Sequence, residues 1–311
     1  MKTMEKQYQK AGNIAMVQVD TLKGEGFGFL TAASALESGI LEIREVRQEG
    51  AVNTLLAVNH SAYYYLLTDM DLLKGAKQNR VVNTSVLIAP HSKQEVNVSC
   101  VERSRWSYNS PTFKPGPEIL DARMRAAKAG SLKRDKKEQA EETQSMIWGM
   151  INEEMVSNHF ISETEDYSSI LESRSAREET RYTFRPAENC NGLAVFEGKK
   201  LVSFDIFGNR KAYKYYFELL AGNALSRVHN EGREGALKDS DSMKKAEAME
   251  QVEAFYRLDE YLDQFESGLE FPVDPEARNV GTLRWSGLQQ YPGFELSFKD
   301  HLTHLAGFSN D

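Results

Sequence analysis

From Asn13 to Val101 the chain advances in short apolar or alternating runs, IAMVQV, ILEIREV, TLLAVNH, AYYYLL, RVVNTSVLI and EVNVSCV, separated by polar breaks. These runs are rich in Val, Ile, Leu and Tyr, the residues that suit a pleated, half-buried surface. Strands of this kind bury one face only by lying beside one another, so the first third is expected to form an antiparallel sheet or sandwich. Within it, LTAASALESG has the composition of a short helix closed by Gly39.

The character changes after Pro111, Pro115 and Pro117. From Glu118 to His159 β-branched residues are few and the composition is helical. The centre of this segment, GSLKRDKKEQAEETQ (Gly130 to Gln144), offers almost no apolar surface to a core, so it is expected to be exposed and dispensable for folding. Met146, Ile147, Met150, Ile151 and Met155 then recur with helical spacing and should pack against the sheet. GLAVFEGKKLVSFDIFGNRKAYKYYFELLAGNAL reads as strand, turn, strand and helix, with Asn209 as the cap and Tyr213, Tyr216, Phe217 and Leu220 as the apolar helix face. A loop, HNEGREGALKDSDS, leads to a further helix marked by Met243, Ala246, Met249, Val252, Phe255, Leu258 and Leu262. Short strands near LEFPV, TLRWSGL and FELSF close the pattern. The expected fold is α+β: an N-terminal antiparallel β-sandwich-like half packed against helices, and a smaller C-terminal α+β half. Its regions are β-rich over 13–106, helical over 118–160 and α+β over 182–308.

At 311 residues the chain can bury a substantial core. Its formal charge of −8 repels a phosphate backbone, and no basic face offsets that, so nucleic-acid binding is not expected. Cys100 and Cys190 are too few for a disulfide scaffold and share no zinc-type spacing with histidine, which fits a reducing cytoplasm. No apolar run has the length of a signal peptide or a membrane span, so no membrane contact is expected.

The segment GAKQNRVVNTSVLIAPHSKQEVNVSCVERSRW, Gly75 to Trp106, carries the most chemical information. Side chains alternate along a strand, so Arg80, Val82, Thr84, Val86 and Ile88 share one face, as do Val96, Val98, Cys100 and Glu102. Read as one hairpin turning at Ala89 to Gln94, Ile88 faces Val96, Val86 faces Val98, Thr84 faces Cys100 and Val82 faces Glu102. KQNR and ERSRW then meet at the open end, with Arg80 beside Glu102 on the core side. A slip of two residues preserves that meeting, whereas a slip of one reverses the faces.

Two readings of the cluster stand side by side. It is either a buried Arg–Glu network tying the sheet to the helices, with Trp106 as packing, or an anion or nucleotide pocket. In the second, Lys77, Arg80 and Arg105 contact phosphate or carboxylate, Gln78 and Asn79 give directional hydrogen bonds, Trp106 stacks, and Glu102 serves as general acid or base. Asp205 is a second candidate, because KLVSFDIF ends beside a helix start, where a carboxylate either caps the turn or serves a site. Other motifs are weaker. GEGFGF lacks the phosphate-loop pattern, and Asp69 with Asp71, or His301 with His304, complete no metal set by themselves. Cys100 alternates with valines as a small core residue would, and no serine nucleophile elbow appears.

LTAASALESGILEIREV, VNTLLAVNHS, LLKGAKQNRVVNTSVLIAP, VSCVERSRWSY, TQSMIWGMI and GLAVFEGKKLVSFDIFG together resemble the ARPP-1 domain family, named for association with ARG and rhodanese-phosphatase-superfamily proteins. The resemblance runs from about Ile14 to Phe308 and implies one domain over 14–308. It also implies a place in systems that handle NAD-derived or ADP-ribosyl compounds; it supplies no catalytic residues and no cofactor. Two functions follow as expectations. One is a small-ligand protein or enzyme acting on a nucleotide-like or ADP-ribosyl compound at the hairpin end. The other is a non-catalytic module assisting an ADP-ribosylglycohydrolase-type partner.

Overall fold

A computed structural model of the chain describes residues 3, 5–21, 27–47, 51, 53–131, 136–175, 184–228, 240–271 and 280–310. In chain order, strands β1 (Glu5–Ala11), β2 (Ile14–Asp20) and β3 (Leu30–Thr31) precede helix α1 (Ala33–Ser38). Then follow β4 (Leu41–Glu45), β5 (Thr54–Asn59), β6 (Tyr65–Leu67), β7 (Asp71–Gly75), β8 (Arg80–Val82), β9 (Val86–Ile88), β10 (Lys93–Cys100) and β11 (Phe113–Ile119). Helices α2 (Ala122–Ser131), α3 (Lys136–Ser157) and α4 (Tyr167–Ser175) come next. The rest is β12 (Gly192–Glu197), β13 (Lys200–Phe207), α5 (Arg210–Leu225), α6 (Ser240–Ser267), β14 (Leu269–Glu270), β15 (Thr282–Ser286), β16 (Gly293–Phe298) and β17 (His301–Phe308).

The class is α+β, as the alternating runs require, but the halves are woven together rather than set end to end. An eight-stranded antiparallel sheet has the order β1-β2-β12-β13-β17-β16-β15-β14, so β2 pairs on one side with β1 and on the other with β12, which follows the whole of the six-stranded sheet in the sequence. A six-stranded sheet, β11-β7-β8-β10-β5-β4, and a small one, β3-β6-β9, hold the remainder. The eight-stranded sheet buries Val17, Phe204, Ile206 and Leu305 against Leu258, Leu262 and Phe265 of α6, and its other face meets Tyr213, Tyr216 and Phe217 of α5. The six-stranded sheet buries Leu55, Val82, Val96 and Val98 toward α1 and the small sheet, while Leu72, Val81 and Val101 face α2, α3 and α4.

Local chemistry accounts for the boundaries. Gly39, with φ of 75°, ends α1 in the left-handed conformation that glycine adopts at least cost. Asn209 caps α5 by accepting a hydrogen bond from the Ala212 amide at 2.8 Å. β11 contains Pro115 and Pro117, which lack the N–H that a ladder needs, and it accordingly lies at a sheet edge with a register shift. The apolar stripe of α6 runs through Ala254, Leu258, Tyr261, Leu262 and Phe265, so Met249 and Val252, expected on that face, point to solvent instead.

Two expectations need correction. β8 and β9 are not one strand: β9 pairs with β6 in the small sheet, and β8 alone meets β10. Val82 therefore faces Val98 and Arg80 faces Cys100, rather than Val82 facing Glu102. The chain leaves the ladder at Asn83 to Ser85, where the Asn83 amide bonds Asn97 O and the Ser85 side chain turns to another partner. The shift is four residues, an even number, so Arg80 keeps its face. The polar segment from Gly130 to Gln144 is likewise anchored at both ends. Ser131 Oγ and Thr143 Oγ1 join α2 to α3 at 2.6 Å, and the Gln144 amide group caps the end of β10, accepting from Cys100 N at 2.7 Å and donating to Cys100 O at 2.9 Å. An amide side chain satisfies a strand's peptide groups as a neighbouring strand would, so its polarity is why it is buried. The side chains of residues 132–140 lie outside those described, as do Gly24 to Gly26 of GEGFGF and most of the HNEGREGALKDSDS loop. Among the described residues no helix is long and apolar enough to cross a membrane.

Candidate functional site

The turn between β7 and β8 starts with two residues in the left-handed region, Gly75 (φ 131°) and Ala76 (φ 40°). A Cβ on Gly75 would lie 2.8 Å from Thr112 O and closer still to the Ser110 hydroxyl, so the turn and the loop behind it are in backbone contact. Asn79 closes the turn by accepting from Gly75 N at 3.0 Å. This turn presents Lys77, Gln78, Asn79 and Arg80 to the loop that carries Glu102, Arg105 and Trp106.

Glu102 and Arg105 clasp the two segments. Arg105 Nε and Nη2 donate to the Glu102 carboxylate at 2.8 and 2.6 Å, while Arg105 Nη1 donates to Ala76 O and Ser107 O at 2.7 and 2.9 Å. The second Glu102 oxygen also accepts from the Asn79 amide at 2.9 Å. Asn79 Nδ2 then reaches Asp166, whose carboxylate accepts from Ser168 N at the start of α4. Glu102, Arg105 and Asn79 thus form a paired frame, and the meeting of KQNR with ERSRW exists even though Arg80 is not directly opposite Glu102.

Arg80 differs from its neighbours. Its side chain is 0% exposed, and Nη1 donates to Gln78 Oε1 at 3.0 Å, yet Nε and Nη2 donate to no acceptor among the described residues. Glu45, at the end of β4, approaches Nη2 only to 3.8 Å, and its Oε1 accepts no hydrogen bond among them either. Burial lowers the Arg80 pKa, an effect that Cys100 and Glu45 partly oppose. Trp106, 47% exposed, places its ring centroid 5.8 Å from the Arg80 guanidinium. Lys77 Nζ lies 5.2 Å from the Trp106 ring and 5.2 Å from the Tyr108 ring, which is also exposed. Burial pushes the Cys100 thiol up to about 11, the behaviour of an inert core residue.

Asp205 belongs to a second cluster, deep between α2 and the sheets. Arg125 bridges two carboxylates, donating to Asp69 at 2.8 and 3.0 Å and to Asp205 at 3.0 and 2.5 Å. His304 Nε2 lies 3.1 Å from Asp205, and its Nδ1 lies 2.7 Å from Ser85 Oγ. Burial alone would raise the Asp205 pKa, but Arg125 and His304 draw it down to about 2. Asp69, Asp205 and His304 offer atoms within 4.8 Å of one another, the spacing of a metal set, but Arg125 already supplies positive charge to both carboxylates. Ser85, His304 and Asp205 also give a hydroxyl–imidazole–carboxylate series, with each side chain fully enclosed. Asp69 and His304 were visible only as halves of separate motifs, and Ser85, Arg125 and Glu45 carried no local signal. Asp69, Ser85, Arg125, Asp205 and His304 lie on five separate segments, which must fold together before the cluster exists.

The chain matches the model of the ARG and Rhodanese-Phosphatase-superfamily-associated Protein domain over residues 4–308. It belongs to the ARPP-1 domain family. No curated protein and no solved structure matches it. In this ARPP-1 chain the match reaches from before the first strand to the end of the last, so it takes in both clusters.

Proposed function

We propose that this ARPP-1 protein binds a small nucleotide-like ligand, of the NAD-derived or ADP-ribosyl class, where the β7–β8 turn meets the Glu102–Trp106 loop. The observation that carries this reading is Arg80: a fully buried guanidinium with an unspent Nε–Nη2 edge, the edge that grips a paired oxygen group bidentately. A buried cation is costly unless something pairs with it, and the 3.8 Å approach of Glu45 does so only in part. Trp106 and Tyr108 supply exposed ring faces for a base, with Lys77 between them to meet a phosphate. Glu102, Asn79 and Arg105 hold this apparatus in place, with Gln78 fixing the Arg80 Nη1 edge, and Asp205 braces the interior rather than touching the ligand. The family's association with ARG and rhodanese-phosphatase-superfamily proteins supports such proteins as functional partners.

A thermal-shift series with NAD, ADP-ribose and AMP tests the reading. At one hundred times its Kd a ligand stabilises a single-site protein by about 2.7 kcal/mol. Trp106→Ala, at an exposed position, and Arg80→Met should each remove that gain. Absence of a shift with every compound would return the cluster to a purely structural role in a module that assists a partner protein.

A further inference from the structure

Glu45 adds a selectivity that Arg80 alone lacks. An oxyanion such as phosphate or carboxylate presents acceptors only; gripped by Arg80 Nε and Nη2, it would set negative charge against the nearby Glu45 carboxylate. The two buried side chains instead offer donors and an acceptor side by side: Nε and Nη2 as donors, Glu45 Oε1 as acceptor, with 3.8 Å between Nη2 and Oε1. A vicinal diol complements that set. One hydroxyl accepts from Nη2 and donates its O–H to Glu45 Oε1, and the adjacent hydroxyl accepts from Nε. Both buried groups are then satisfied without a second negative charge entering.

Resting on the ligand reading above, we propose that Arg80 and Glu45 form a ribose-hydroxyl subsite, so that Glu45 makes the protein select a free cis-diol over a deoxyribose or a ribose phosphorylated on the diol itself. The base and phosphate then fall to the exposed side, near Trp106, Tyr108 and Lys77. Trp106, which lies over Arg80, is the group that must swing aside for the sugar to enter.

The test compares AMP, its deoxyribose counterpart and ribose 5-phosphate by calorimetric titration of the full chain, with Glu45→Gln as the variant. AMP and ribose 5-phosphate should bind, and the deoxy compound should bind at least about tenfold more weakly, because it leaves a buried polar group unpaired. In Glu45→Gln the preference for the diol should collapse. Equal binding of AMP and its deoxy counterpart by the unaltered protein overturns the subsite while leaving the ligand reading intact. Binding of none of the three, nor of ADP-ribose, overturns both. The first comparison needs no variant, so a Glu45→Gln protein that fails to fold does not shield the proposal.

Discussion

Both oxygens of Glu102 are engaged, one by Arg105 Nε and the other by Arg105 Nη2 and the Asn79 amide. Glutamine retains a single acceptor oxygen and brings an amide that faces the Arg105 donors. Glu102→Gln should therefore lower stability by about 3 kcal/mol, at the low end for breaking a buried ion pair. Urea unfolding of the two proteins measures it, and unchanged stability would remove Glu102 from the frame. Parity made much of this cluster legible in the sequence, because an even register shift leaves a strand's faces unchanged. The identity of Arg80's counter-ion was not legible. Glu45 reaches Arg80 through three successive pairings, β4 with β5, β5 with β10 and β10 with β8, and no local pattern encodes that route.

Helix α2 shows the same limit at the level of an element. Met124 packs toward α3 and α4 while Ala126 and Ala129 pack toward the eight-stranded sheet, so the helix is enclosed on opposite sides. Its sequence ARMRAAKAGS reads as an exposed, basic stretch, yet Arg125 and Lys128 are among the largest fully buried side chains. Lys128 Nζ donates to Asp69 O at 2.5 Å and Val82 O at 2.6 Å, and burial lowers its pKa to about 7. A lysine is normally protonated up to about pH 10.4, so between pH 7 and that value the unfolded chain binds the extra proton and the folded protein does not. Stability from this group should accordingly rise with pH across that window. Lys128→Met should flatten the rise whatever its constant offset, as shown by urea midpoints at pH 7, 8 and 9. A slope identical in both proteins would mean that Lys128 stays charged in the fold.

Across the whole molecule, the eight-stranded sheet joins residues near both ends of the chain, and its tightest point is the passage from β13 into α5. A Cβ on Gly208 would stand 1.9 Å from Leu302 O, and the Gly208 amide donates to Thr303 O at 2.9 Å. Gly208→Ala must push β17 away from β13, and overpacking of this kind costs about 1–3 kcal/mol. Because the displaced partner is backbone, stability should fall by the upper part of that range and the thermal midpoint with it, and an unshifted melt would show that β17 yields freely. The alternating strands and the capped helices were legible one by one, whereas their interleaving was not. The sequence pattern states which face of a strand is apolar, but any apolar strand of matching length can satisfy it.

β17 is the last strand in chain order but an interior strand of its sheet, held between β13 and β16. It pairs with β16 as a tight hairpin turning at Lys299 and Asp300, so its long-range contact is with β13, and without it β1, β2, β12 and β13 would make a ribbon with a bare row of amides and carbonyls along β13. An open edge of that kind templates pairing with other chains, and non-local pairing such as β13 with β17 is intrinsically slower than a local hairpin. One eight-residue segment, His301–Phe308, therefore shields the β13 edge from other chains and also places His304 in the interior.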